Sequence, residues 1–217
     1  MGGVSYSDVL ERMAAACDRV GRTRDSVRLL VVSKGHTIRE IATIASQGHA
    51  DFGENRAQEL RDKVDAGPPG LRWHFVGPLQ TNKVRTVRPA VTALHSMDRE
   101  SLALAWLKGP GAPPPVFVQV NIGEEEQKSG VAPSEAGSFC GRVIGMGIRV
   151  IGLMAIPPLG EAEEARPFFA RLATIRDEIS AIHPSVAGLS MGMSNDFETA
   201  IEEGATVIRV GRAIFAD

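Results

Sequence analysis

The 217-residue chain holds two cysteines, one tyrosine and an aromatic content of only 5%. Cys17 and Cys140 lie far apart with no pairing pattern, which excludes a disulfide framework. Both fall in helix-like apolar segments and read as packed free thiols in a reducing compartment. No apolar run is long enough to span a membrane, and no signal-peptide pattern opens the chain, so a cytoplasmic protein is expected. Met1-Gly2-Gly3 hints at myristoylation, but Tyr6 stands where Ser or Thr is needed. With 24 basic and 26 acidic side chains the net charge is −2, and no broad electropositive field exists for nucleic acid. The one acidic run, Glu124-Glu125-Glu126, is partly offset by Lys128 and reads as a solvated loop. His36, His49, His74, His95 and His183 show no metal-ligand spacing, and CxxC, HExxH, Walker and dinucleotide glycine patterns are all missing.

What is present is alternation. Hydrophobic content is 43% and charged content 23%, ordinary for a globular domain. Residues 5–20 carry apolar positions at helical spacing, and Gly21 is a plausible stop. Strand-like segments follow near 27–33, 50–53, 72–76, 91–96, 115–122, 148–155, 186–190 and 206–210. Helix-like segments fall near 38–47, 55–64, 80–88, 99–107, 134–144, 161–181 and 195–203, and a short segment, 212–216, closes the chain. Such a pattern means a parallel sheet, and eight strands suggest a closed barrel. The expected fold is α/β, a (β/α)8 TIM barrel with an extra N-terminal helix, as one domain over residues 1–217. An open doubly wound sheet is the rival. Gly67-Pro68-Pro69-Gly70 and the Pro/Gly stretch 109–115 read as loops on the barrel's N-terminal face.

Lys34 is the first anomaly. It follows Val27-Arg28-Leu29-Leu30-Val31-Val32-Ser33, which reads as a buried strand, so it belongs at the strand's C-terminal end. An amine held there is expected to lose hydration and to become a nucleophile toward carbonyls. Arg209 is the second. Strand alternation puts Val207, Arg209 and Gly211 on one face and Ile208 and Val210 on the other. If the latter pair meets the outer helices, Arg209 points into the barrel mouth. A structural salt bridge and a ligand contact both remain open for it. Two late turns, Met191-Gly192-Met193-Ser194-Asn195 and Gly211-Arg212-Ala213, stand where barrels often bind phosphate. Gly192 and Gly211 would let backbone approach a ligand, and Ser194 reads as a helix N-cap.

These features sit within a longer set of motifs. In order they are Val31-Val32-Ser33-Lys34, Phe52-Gly53-Glu54-Asn55-Arg56-Ala57-Gln58-Glu59, Trp73-His74-Phe75-Val76-Gly77-Pro78-Leu79-Gln80-Thr81-Asn82-Lys83 and His95-Ser96-Met97-Asp98-Arg99. Gln119-Val120-Asn121-Ile122, Lys128-Ser129-Gly130-Val131, Gly152-Leu153-Met154-Ala155-Ile156-Pro157, Leu189-Ser190-Met191-Gly192-Met193-Ser194 and Ile208-Arg209-Val210-Gly211 complete it. The chain thereby resembles, over nearly its whole length, the pyridoxal 5′-phosphate (PLP) homeostasis proteins, which look like the N-terminal barrel of alanine racemase standing alone. The resemblance implies that Lys34 carries PLP as an internal aldimine. It implies that Ser194 and the backbone near Gly211 and Arg212 hold the phosphate, and that Arg209 faces the pyridine nitrogen. Asn55, His74, Met154, Ser190 and Met193 match pocket-lining positions. Two departures stand out: Gly35-His36 follows Lys34 where the family often has a hydroxyl residue, and Arg212 replaces a common small hydroxyl residue.

The expected role is a PLP carrier or donor in intracellular PLP homeostasis, acting as a monomer on PLP and on apo PLP-dependent enzymes, without nucleic acid or membrane. An arginine facing the ring nitrogen disfavours transamination but permits racemisation. Racemisation needs a proton donor on each face of the substrate carbon. In alanine racemase a tyrosine of the second domain supplies one. Here Tyr6 is the only tyrosine and no residues remain for such a domain; nothing in the sequence places His74 or Cys140 correctly. A weak PLP-dependent racemase is the alternative, and a Schiff-base aldolase or other phosphate-binding barrel without PLP is the third reading. His95 reads as a strand end, His183 as a helix cap, and Trp73 and Trp106 as core aromatics.

Overall fold

Each of the eight apolar segments forms a parallel strand: β1 (Arg28–Val32), β2 (Asp51–Glu54), β3 (Arg72–Phe75), β4 (Ala93–Met97), β5 (Val116–Gln119), β6 (Val150–Met154), β7 (Gly188–Ser190) and β8 (Val207–Val210). The computed structural model describes residues 5–215, so the Met1-Gly2-Gly3 start and the last residue of the 212–216 segment lie outside the described residues. The strands pair in chain order and β8 pairs with β1, closing a barrel and ruling out the open sheet. Eight α-helices surround it among the described residues: α1 (Tyr6–Arg19), α2 (Ile38–Ala45), α3 (Ala57–Ala66), α4 (Val84–Val87), α5 (Glu100–Leu107), α6 (Ala136–Gly145), α7 (Ala162–Ile182) and α8 (Phe197–Glu202). None of these is long and apolar enough to cross a membrane.

The leading helix completes the outer layer. The described residues after β8 form only a turn, and α1 lies beside α8, tied to it by Arg12 donating to both carboxylate oxygens of Glu198 at 2.8 and 2.7 Å. Ser5 caps α1 and Thr37 caps α2, each in a capping box. The helix expected over 80–88 is divided. A 3-10 turn (Thr81–Lys83), α4 and a second 3-10 turn (Arg88–Ala90) share the segment. Pro89 has no N–H to continue the ladder there.

Alternation along the strands sorts the interior. Leu29, Val31, Phe52, Trp73, Phe75, Leu94, Ile208 and Val210 face the helices in one large core. A small second cluster of Leu30, Phe117, Met154 and Val207 fills part of the barrel. The remaining inward positions are polar: Asp51, His74, His95, Gln119, Ser190 and Arg209 are all buried. Trp73 and Trp106 are core residues, and His183 is the C-cap of α7, as their segments suggest. Cys17 and Cys140 are buried free thiols. Both Pro/Gly stretches connect a helix to the next strand, on the N-terminal face.

Gly192 shows why one turn needs glycine. Its φ is +89°, and an added Cβ would lie 2.6 Å from the Ala200 Cβ of α8. The close approach seen here is to a helix. Gly192→Ala is expected to lower unfolding free energy by about 2–4 kcal/mol, through backbone strain and overpacking. A urea melt of the variant against the parent reads it.

Candidate functional site

At the C-terminal mouth of the barrel lies a cavity of about 290 Å³. That is near the lower end of the roughly 300–1,000 Å³ typical of ligand clefts. It is where parallel barrels carry their chemistry. Strand ends around the ring contribute: Lys34 and His36 after β1, Asn55 after β2, Val76 to Pro78 after β3, Ile156 after β6, Met193 and Ser194 after β7, and Arg209, Gly211 and Arg212 from β8 onward. Seven of the ten sequence candidates therefore meet on one cavity. His74, Met154 and Ser190 do not line it. They are almost wholly buried in the layer beneath.

Lys34 lies just past the C-terminal end of β1, as expected, but it is exposed and not desolvated. β1 ends at Val32, and Ser33, not Lys34, is the buried residue. The chain then turns, with His36 N–H donating to Ser33 C=O at 3.0 Å and Gly35 at φ +76°. That turn lifts Lys34 out of the sheet, so its side chain is exposed and keeps its hydration. Among the described residues its amine has no hydrogen-bond or ion-pair partner and is free to react. The buried lysine is Lys63 of α3, 7% exposed. Its Nζ donates to Ser33 C=O at 2.7 Å, to Glu54 Oε1 at 2.5 Å and to Glu59 Oε2 at 3.4 Å. Ser33 Oγ donates to the same Glu54 Oε1 at 2.7 Å, and Gly35 N–H donates to Glu59 Oε2 at 2.9 Å. Both chain neighbours of Lys34 are thus anchored by one network, buried at Ser33 and open to solvent at Gly35. Lys63 is not among the sequence candidates, and its i,i+4 spacing from Glu59 is the signal that points to it.

The adjoining side of the cavity, after β7 and β8, offers donors to an anion. Among the described residues, the backbone N–H groups of Ser194, Asn195, Arg212 and Ala213 donate to no protein acceptor. Neither the Ser194 hydroxyl nor the Arg212 guanidinium has a partner there. Two adjacent turns with unpaired N–H groups, a hydroxyl and a guanidinium form a nest for an anion's oxygens. The N-cap of α8 is Asp196 rather than Ser194. The Asp196 carboxylate accepts from Met193 N–H at 2.6 Å, which leaves Ser194 uncommitted. Gly211 is needed for another reason, since a Cβ there would stand 2.7 Å from Val32 C=O across the β8–β1 seam.

Arg209 points inward, as alternation requires. It donates through Nη1 to Ser190 C=O at 2.5 Å and Ser190 Oγ at 2.9 Å, and through Nη2 to Ala155 C=O at 2.9 Å. Among the described residues no carboxylate pairs with it, so no structural salt bridge accounts for it there. Burial pushes its pKa down to about 10, opposed by the charge of Asp196, and it stays a cation at neutral pH. Its Nε has no protein acceptor among the described residues, and the residue lines the cavity. It can present a donor to a ligand acceptor there. His36 forms the rim, stacked on Phe215 with ring centroids 4.0 Å apart and 2.9 Å from Glu40 Oε1. Asn55 Oδ1 is buried with no hydrogen-bond donor.

The sequence model of the family described as alanine racemase, N-terminal domain, matches residues 9–217. The chain is 40% identical over 218 residues to a protein of Aquifex aeolicus named pyridoxal phosphate homeostasis protein, covering 97% of this chain and 96% of that one. The chain belongs to this family. A solved relative is PipY of Synechococcus elongatus with PLP bound, 32% identical, with a TM-score of 0.77 over 96% of this chain and all of that one. Alanine racemase from Corynebacterium glutamicum shares the fold at 16% identity and a TM-score of 0.68, the chain spanning 61% of its length.

Proposed function

We propose that this family member binds PLP at the barrel mouth and acts as a carrier in PLP homeostasis, delivering the cofactor to apo PLP-dependent enzymes. The carrying observation is the pairing of an unpartnered lysine amine with an unpartnered anion nest on one cavity. The residues fit the group. Lys34 offers an amine, the side chains and backbone N–H groups of Ser194 and Arg212 offer donors to a phosphate, and Arg209 offers a donor to the ring nitrogen. When bound, PLP supplies an aldehyde for amine addition and a ring that withdraws electrons. Arg209 cannot give that nitrogen a proton, because an arginine at neutral pH only donates hydrogen bonds.

The same geometry argues against an enzyme. Tyr6 hydrogen-bonds His49 Nδ1 at 3.2 Å, away from the cavity. Cys140 sits in α6, and burial pushes its thiol up to about 12. His74 lies beneath the floor. None of the three lines the cavity, so none can move a proton at a substrate carbon there. The buried free thiols of Cys17 and Cys140 support a role in a reducing compartment, and a monomer suits a mouth left open for transfer. The test is a PLP titration followed by borohydride reduction, with α-deuteron loss from amino acids measured in parallel. One borohydride-stable equivalent per chain and no deuteron loss are expected. A colourless protein that takes no label overturns the PLP reading, and deuteron loss overturns the non-enzymatic one.

A further inference from the structure

The polar layer under the cavity is an unbroken chain of contacts across five strands. Asp51 of β2 accepts from Arg72 at 2.8 and 2.6 Å. Its Oδ1 is also 3.4 Å from His74 Nε2. His74 Nδ1 lies 3.0 Å from His95 Nε2, and His95 Nδ1 lies 2.8 Å from Ser190 Oγ. Ser190 Oγ accepts from Arg209 Nη1 at 2.9 Å. All of these side chains but Arg72 are buried, and Phe117 stacks on His95 with centroids 4.4 Å apart.

Donor and acceptor inventories give the chain a direction. Arg209 only donates and an ionised Asp51 only accepts. With both imidazoles neutral, one arrangement satisfies every link. Ser190 O–H donates to His95 Nδ1, His95 Nε2–H donates to His74 Nδ1, and His74 Nε2–H donates to Asp51. The reverse arrangement needs a doubly protonated His74. It leaves the Ser190 hydroxyl hydrogen with no acceptor among the described residues, and it adds a second buried cation to the barrel interior. Burial, with the nearby His74 and Arg209, holds His95 well below the ordinary histidine range. Despite burial, hydrogen bonds from His74 and Arg72 hold the Asp51 carboxyl well below the usual carboxylate range. An oriented chain of this kind polarises along its length.

We infer that Ser190, His95, His74 and Asp51 are positioning residues that lock Arg209 as a fixed donor to the cavity floor, with both imidazoles neutral and protonated at Nε2. Their effect on a bound cofactor rests on the PLP reading above; the chain itself does not. Long-range proton–nitrogen NMR of the histidine-labelled protein without PLP tests it. Nε2–H and a bare Nδ1 are expected on His95 and His74. A proton on His95 Nδ1, or two on His74, overturns the inference whatever PLP does. His95→Leu and His95→Gln, titrated with PLP, then test the link to the cavity. The glutamine keeps a donor and an acceptor at that position, and the leucine keeps neither. His95→Leu should weaken PLP binding by on the order of tenfold and shift the visible band, with His95→Gln restoring both. Equal affinity and an unmoved band in both variants overturn the link. Should His95→Leu fail to fold, the tautomers of the unaltered protein still decide. An unaltered protein that fails to take PLP would sink only the cofactor reading.

Discussion

Lys34→Ala is expected to fold as the parent does and to lose the covalent attachment of PLP completely. Lys34 is exposed in a turn, and its amine has no hydrogen-bond or ion-pair partner among the described residues, so its removal costs stability within about ±0.5 kcal/mol. The turn itself stays in place, because Ser33 and Gly35 are held by Glu54, Lys63 and Glu59. No other lysine lines the cavity. The anion nest is untouched, so PLP should still bind non-covalently, more weakly and without a borohydride-stable label. Intact-mass analysis after reduction reads the result. A variant that keeps one reduced equivalent on a different residue would remove Lys34 from its assigned role, while one that binds no PLP at all would show the nest to be too weak to hold the cofactor alone.

The difference between Lys34 and Lys63 shows what the chain discloses before folding. The barrel was legible because both faces of each strand are covered, so runs such as Leu29 to Val32 read as strands without help from neighbours. Arg209 was legible for the same reason: a period of two fixes its side once Ile208 and Val210 are seen as core. Burial of a residue just past a strand is another matter. It depends on the turn that follows, and Gly35 turns the chain so that Ser33 is enclosed and Lys34 is not. Lys63 sits on a helix of ordinary polar composition, and its burial arises from a carboxylate nine residues earlier, on β2. The helix cap moved from Ser194 to Asp196 because Asp196 reaches back to Met193 N–H, a choice between two good capping residues that local pattern does not rank. The family resemblance marks His74 and Ser190 as pocket positions and His95 reads as a strand end, with nothing to link the three. Only the barrel closure that sets β4 across from β7 joins them.

Lys63→Met is the second substitution with a large expected effect, and it acts on stability first. Glu54 is fully buried, and its Oε2 has no donor. Its Oε1 is held by Ser33 Oγ and Lys63 Nζ. Removing the ammonium leaves a carboxylate enclosed with one hydroxyl for company, a situation that costs about 3–5 kcal/mol. Ser33 C=O loses one of its two donors as well, so the turn carrying Lys34 is less firmly held. Urea denaturation should therefore show a lower midpoint with an unchanged slope. PLP labelling of the folded variant should fall alongside, although Lys63 does not line the cavity. Replacing Glu54 by methionine too should recover most of the stability, because an apolar pair of similar volume is often as stable as a buried ion pair. It should not recover the labelling, since Ser33 would still lack both partners. Full recovery of both would mean that the network stabilises the barrel without positioning Lys34. A loss below about 1 kcal/mol in the single variant would place the pair with exposed ion pairs, contrary to its burial.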